Sequence, residues 1–140
     1  NGAGGGFVVD ASVALTWLFV EESTPATVAV LERLSREPAV VPGLWKIELT
    51  NIIASAERKG RVTPAKTESF IAKLSELEIE VDQQAPGRAF SHLLPLCRAH
   101  GLTSYDAVYV ELALRRGLPL ATLDAAMGAA ARGLGLELLV

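Results

Sequence analysis

Short apolar runs and longer amphipathic segments take turns along the whole chain. That alternation constrains the fold more than any other feature. The runs "FVV" (Phe7 to Val9), "PAVVP" (Pro38 to Pro42), "EIEV" (Glu78 to Val81), "LPLATL" (Leu118 to Leu123) and "LELLV" (Leu136 to Val140) read as strands. Between them lie segments with helical spacing and helix-boundary residues. Ala11 to Val20 is apolar nearly all round. A second helix opens near Pro25, capped by Ser23 or Thr24 with Pro in its first turn. Gly43 to Lys59 reads as a long helix stopped by Gly60, and Thr63-Pro64 opens another. Further helices are expected from Ala85 to His100, from Thr103 to Arg116 before Gly117, and after Asp124. Strands alternating with helices predict an α/β fold, with a mostly parallel sheet of about five strands covered by helices on both faces.

The chain has 140 residues, enough for one domain with a sizeable core, and no repeat or linker divides it. A single domain is expected over residues 7–140. The opening "NGAGGG", residues 1–6, reads as a tag remnant or a disordered tail. Cys97 is the single cysteine, so no intrachain disulfide can form, which fits a reducing cytoplasm. The apolar stretch Phe7 to Val20 is interrupted by Asp10, Ser12 and Thr16 and is too short to span a bilayer, so no membrane association is expected. The net charge of −3 argues against a general nucleic-acid binder. Basic residues nevertheless cluster locally, as Arg58, Lys59 and Arg61, and as Arg115 and Arg116.

Four carboxylates occupy positions that simple solubility does not explain. In open α/β sheets, sites form beyond the carboxyl ends of strands. Asp10 follows the first strand and Asp124 follows "LATL", so both can reach one crevice. Each can also act as an ordinary helix N-cap. Glu48 lies within a long helix, between Leu44 and Ile52 at four-residue spacing. With Asn51 and Ser55 it makes a narrow polar strip flanked by Ile47 and Ile52. A carboxylate on that side is either paired or metal-bound, or is an edge residue reaching outward. Asp106 shares a face with Val110 and Ala113, and Thr103-x-x-Asp106 also matches a capping box in its Asp variant. Four such carboxylates in one pocket repel one another, and a divalent cation is the usual remedy. Mg²⁺ and Mn²⁺ prefer oxygen ligands, and an all-carboxylate site suits cleavage of a phosphodiester.

The segments "VVDASVALTWL", "ELTNII" and "TSYDAVYVELALRRGLPLATLD" together resemble a PIN-domain ribonuclease, and more narrowly the VapC-type toxins of bacterial toxin–antitoxin pairs. The resemblance runs from about Phe7 to the C-terminus. It matches Asp10, Glu48, Asp106 and Asp124 to the family's four acidic positions. It matches Asn51 to a residue beside the second acid, and Ser12, Ser104 and Thr122 to small hydroxyl residues that support the acids. It implies a three-layer α/β/α domain with an acidic pocket. Asp10 and Asp106 would bind Mg²⁺ or Mn²⁺, with Glu48 and Asp124 doing so directly or through water. It further implies endonucleolytic cleavage of RNA, a homodimer, and a cognate antitoxin that covers the pocket.

Other residues have plainer readings. His92 and His100 lack a metal-ligand spacing, and Cys97 suits a core. Tyr105 and Tyr109 can pack in a core or stack on a base. Trp17 and Phe19 fit a core better than a docking surface. Arg58, Lys59 and Arg61 at a helix end complement its dipole and are candidates for contact with RNA phosphates. Two competing functions stand beside the nuclease. A PIN-like binding module would have lost the chemistry, whereas all four acids are present. A receiver-like signalling domain would need further acids near the first strand and a late Lys, which the last strands lack.

Overall fold

The computed structural model describes residues 5–140. The first four residues of the expected tail lie outside the described residues. Strands β1 (Phe7–Val9), β2 (Ala39–Pro42), β3 (Ile79–Asp82) and β4 (Leu120–Ala121) form one sheet in the order β3-β2-β1-β4. Every neighbouring pair is parallel. The connections carry α1 (Ala11–Leu15), α2 (Pro25–Arg33), α3 (Leu44–Arg58), α4 (Pro64–Ser75), α5 (Leu94–His100) and α6 (Ser104–Arg116), and α7 (Ala125–Gly133) follows β4. None of these helices is long and apolar enough to cross a membrane.

Phe7, Val8 and Val9 are fully buried. Successive strand residues point to opposite faces, so helices must cover both sides of β1. Helix α6 packs on β1, β2 and β4, while α3 packs on β2 and against α1. The α/β architecture expected from the alternating pattern is therefore the observed one.

The fifth expected strand is reduced to a single parallel bridge between Leu138 and Leu120. Its backbone bonds run from Leu120 N to Glu137 O and from Leu139 N to Leu120 O, both 2.9 Å. Two expected helices are shorter than their sequences suggest. Helix α1 ends at Leu15 because the next three amides bond to carbonyls three residues back, and Thr16 Oγ1 donates to Val13 O at 2.7 Å. The expected helix Ala85 to His100 is broken. A tight turn covers Pro86–Arg88, a widened turn covers Ala89–Leu93, and only Leu94–His100 is regular α-helix. Pro95 has no N–H to give and its ring crowds the preceding turn, which accounts for the widening there. At the far end of α6, Gly117 takes a left-handed φ of +64° and stops the helix, as its position suggested.

A charged network fastens α6 to the β3 edge. Arg115 donates to both oxygens of Asp82 at 2.9 and 3.0 Å, and to both oxygens of Glu111. Arg88 also donates to Glu111, at 2.7 Å. Asp82 and Glu111 are both buried, so each carboxylate needs these partners. The clamp fixes where the opposite, amino-terminal end of α6 projects, and that end carries Asp106.

Candidate active site

Strand β1 sits inside the sheet, with β2 on one side and β4 on the other. The chain leaves β1 toward β2 and later returns to β4. The carboxyl ends of β1 and β4 therefore flank the point where strand order reverses, the usual place for a site in an open parallel sheet. Val9 pairs with Ala121, which puts Asp10 and Thr122, the next residue on each chain, side by side.

Asp10 is buried and held at both oxygens. Its Oδ1 accepts from Ser12 Oγ at 2.6 Å and from the Val13 amide at 3.1 Å. Its Oδ2 accepts from Thr122 Oγ1 at 2.5 Å. The capping reading of Asp10 is thus correct and does not compete with a second role. Ser12 Oγ also accepts from the Leu123 amide, and Thr122 Oγ1 from the Asp124 amide, both at 3.0 Å. These two hydroxyls tie the loop after β4 to the residue after β1. Asp124 caps α7 by accepting from the Met127 amide at 2.8 Å.

Glu48 and Asp106 approach from the side. Glu48 is half-buried, and its Oε1 accepts from the hydroxyl of Tyr109 at 2.5 Å. Tyr109 is buried in α6, one turn after Asp106. Its aromatic ring packs in the core, as one of its two sequence readings held, while its hydroxyl reaches an acid. Asp106 stands in the first turn of α6, and its amide donates to Thr103 Oγ1 at 3.2 Å.

All four acids line a single cleft of about 380 Å³, together with Ser12, Tyr109, Phe19, Ile52, Glu22 and Arg61 among others. A larger groove of about 480 Å³ lies between α3 and α4, but Lys46 is its one charged lining residue. The acidic cleft is where titratable groups gather. Burial raises the proton affinity of Asp10, Glu48 and Asp106 above that of ordinary carboxylates. Their mutual repulsion adds to it: Asp124 acts on Asp10 and on Asp106, and both Asp10 and Asp106 act on Glu48. Donated hydrogen bonds from Ser12, Thr122 and Tyr109 work in the opposite direction. Burial and the same carboxylates keep the Tyr109 phenol protonated, so it stays a donor.

The other sequence candidates lie elsewhere. Asn51 and Ser104 are exposed and do not line the cleft. The buried line of α3 is Trp45, Leu49, Ile53 and Ala56, whereas Ile47 is 66% exposed. The polar strip drawn through Asn51 therefore points to solvent, and Glu48 sits at the edge of the buried face. Arg58 and Lys59 are exposed away from the cleft, and of the three basic residues Arg61 alone lines it. Two contributors were not legible in the sequence. The Tyr109 hydroxyl had one available sign, its i+3 spacing from Asp106 on the same helix face. Glu22 had none.

Hard oxygen donors with raised proton affinity suit a hard divalent cation. Among the described residues, no group of three or more His, Cys, Asp or Glu side chains stands close enough to hold a metal ion.

The family model of the PIN domain matches residues 7–133. The chain belongs to the PIN-domain family. No curated protein matches its sequence. This PIN domain is similar to the structure of PAE2754 from Pyrobaculum aerophilum, at 25% identity and a TM-score of 0.67, over 96% of this chain and 83% of that one. It is also similar to VapBC2 from Rickettsia felis, solved bound to a DNA fragment from its promoter, at 14% identity and a TM-score of 0.68, over 96% and 97% of the two chains. FitAcB from Neisseria gonorrhoeae matches at 16% identity and a TM-score of 0.61, over 94% and 95%. At 14% and 16% identity the last two speak to the fold alone.

Proposed function

We propose that this PIN domain is a divalent-metal-dependent endoribonuclease and acts as the toxin of a toxin–antitoxin pair. The observation that carries the reading is the convergence of Asp10, Glu48, Asp106 and Asp124, from four separate elements, on one cleft. Asp10 and Asp106 would hold Mg²⁺ or Mn²⁺, with Glu48 and Asp124 contributing directly or through water. When bound, the ion lowers the pKa of a water and neutralises charge at the phosphate. Ser12, Thr122 and the Val13 amide keep Asp10 from swinging away. Tyr109 occupies Glu48 Oε1, which leaves Oε2 to orient a water or take its proton. Arg58, Lys59 and Arg61 are proposed phosphate contacts, with Arg61 best placed.

The narrower assignment to VapC-type toxins draws on the sequence resemblance. It is supported by the likeness in fold to VapBC2 and FitAcB. The same reading brings a cognate antitoxin over the cleft, a homodimer and a cytoplasmic location. A catalytically silent PIN scaffold is the second reading, favoured by the open spacing of the carboxylates.

The test is cleavage of total bacterial RNA by the purified protein with Mn²⁺, with Mg²⁺ and with EDTA, beside the Asp10→Asn variant. Discrete fragments that need metal and vanish in the variant are expected. Intact RNA under all conditions with no Mn²⁺ bound would sink the enzyme and favour the silent scaffold, whereas intact RNA with Mn²⁺ bound would point to a very narrow substrate or a copurified inhibitor.

A further inference from the structure

The lining of the acidic cleft contains five carboxylates, those of Asp10, Glu22, Glu48, Asp106 and Asp124, and one cation, Arg61. Arg61 lies in the connection between α3 and α4. Its guanidinium covers the ring of Phe19, with Cζ 3.9 Å from the ring centroid. Its Nη2 donates to Glu21 Oε1 at 3.1 Å and to Glu22 Oε2. Both glutamates sit on the short turn Val20–Glu22 that follows α1. Two carboxylates thus share one nitrogen. Among the described residues, no acceptor is bonded to Arg61 Nε or Nη1.

The stack on Phe19 sets the plane of the guanidinium, and Nε and Nη1 present three N–H groups. The two bidentate edges of a guanidinium, Nε with Nη2 and Nη1 with Nη2, match phosphate oxygens, and both include the Nη2 that the glutamates hold. The ion pair is exposed, and such pairs hold a side chain by no more than about five-fold in population. It neutralises the cleft's single cation without fixing it beyond reach.

On the nuclease reading given above, we infer that Glu21 and Glu22 are a built-in competitor for Arg61. They occupy the cation that otherwise takes a backbone phosphate of RNA, and so they set how readily RNA enters the cleft. Glu22, itself a lining residue, adds direct repulsion of the phosphate.

The test is a double-mutant cycle on RNA affinity. A fluorescein-labelled, mixed-sequence single-stranded RNA 12-mer is titrated by anisotropy in Ca²⁺ buffer, with gels to verify that it stays intact. Four full-length proteins are compared: wild type, E21Q/E22Q, R61A and the triple variant. E21Q/E22Q is expected to tighten Kd by roughly three- to five-fold, and R61A to weaken it by a similar factor. In the R61A background the two Glu→Gln changes should alter Kd by less than about two-fold, because the competed cation is gone. Equal tightening in both backgrounds would reduce the effect to net charge and overturn the competitor. Weakening by E21Q/E22Q would show that the pair organises Arg61, and would also overturn it. Failure of all four proteins to bind would remove the nuclease reading together with this inference, a result distinct from the other two.

Discussion

Removing one oxygen atom, in Tyr109→Phe, tests how the cleft holds Glu48. The ring is 1% exposed and packs in α6, so phenylalanine keeps the packing and leaves no orphaned donor. What is lost is the 2.5 Å bond to Glu48 Oε1. Hydrogen bonds to charged groups are worth about 1.5–3 kcal/mol. Glu48 is half-exposed, so water replaces part of the bond, and about 1 kcal/mol of stability should go. For a chain of this size that lowers Tm by roughly 3–5 °C. The second consequence is chemical. The phenol draws the proton affinity of Glu48 down, against burial and the neighbouring Asp10 and Asp106, which push it up. Without the phenol, Glu48 holds its proton to a higher pH. Mn²⁺ affinity of the variant should therefore fall most near pH 6 and recover toward wild type near pH 8. Thermal denaturation without metal and Mn²⁺ titration at the two pH values check both parts. A variant with unchanged Tm, and with wild-type Mn²⁺ binding at both pH values, would refute the reasoning.

Other perturbations separate the site from its frame. Asp10, Glu48 and Asp106 have raised proton affinity in the folded state, from ordinary values of 3.8, 4.5 and 3.8. Their contribution to stability is full below those values and is lost as pH rises through the folded ones. In EDTA, Asp10→Asn should thus gain on wild type as pH goes from 4 to 7.5 in urea denaturation, and saturating Mn²⁺ should reverse the order. Asp82 has the opposite sign. Arg115 lowers its proton affinity, so its contribution is present above 3.8 and is lost as pH falls. Arg115→Ala leaves Asp82 and Glu111 short of a partner. With Arg88 and Arg116 still nearby it should cost about 2–3 kcal/mol, read in the same urea curves. Thr122→Val removes the donor to Asp10 and the acceptor for the Asp124 amide. It should weaken Mn²⁺ binding, whereas Thr122→Ser restores it; equal binding by Thr122→Val would show that the hydroxyl positions nothing.

Strand ends and helix caps were legible because their rules are local. Asp10 had to lie beyond β1 and Asp124 beyond β4 once the alternating pattern was read, and a parallel sheet brings such ends together. Helix rotation was less legible. Ile47 and Ile52 drew the apolar face of α3 toward Asn51, yet both are exposed and the buried line runs through Trp45 and Leu49. A helix that buries only one line of residues against the sheet can leave large apolar residues in solvent, and no wheel reports that. The Tyr109–Glu48 bond joins residues 61 positions apart, and the pairing of Arg61 with Glu21 and Glu22 joins residues about 40 apart. Both depend on how elements cross, which single-segment periodicity does not encode. The break before α5 comes from Pro95 inside an otherwise helical spacing, a mark visible in the sequence.

On the proposed function, the four carboxylates together hold a divalent cation. The most direct measurement is loss of the free Mn²⁺ signal in electron paramagnetic resonance as metal-free protein is added, for wild type, Asp10→Asn and Asp106→Asn. Saturable binding by wild type, abolished or strongly weakened in both variants while their circular dichroism is unchanged, is the predicted result. Binding of equal strength in all three proteins, or none by wild type, would contradict it.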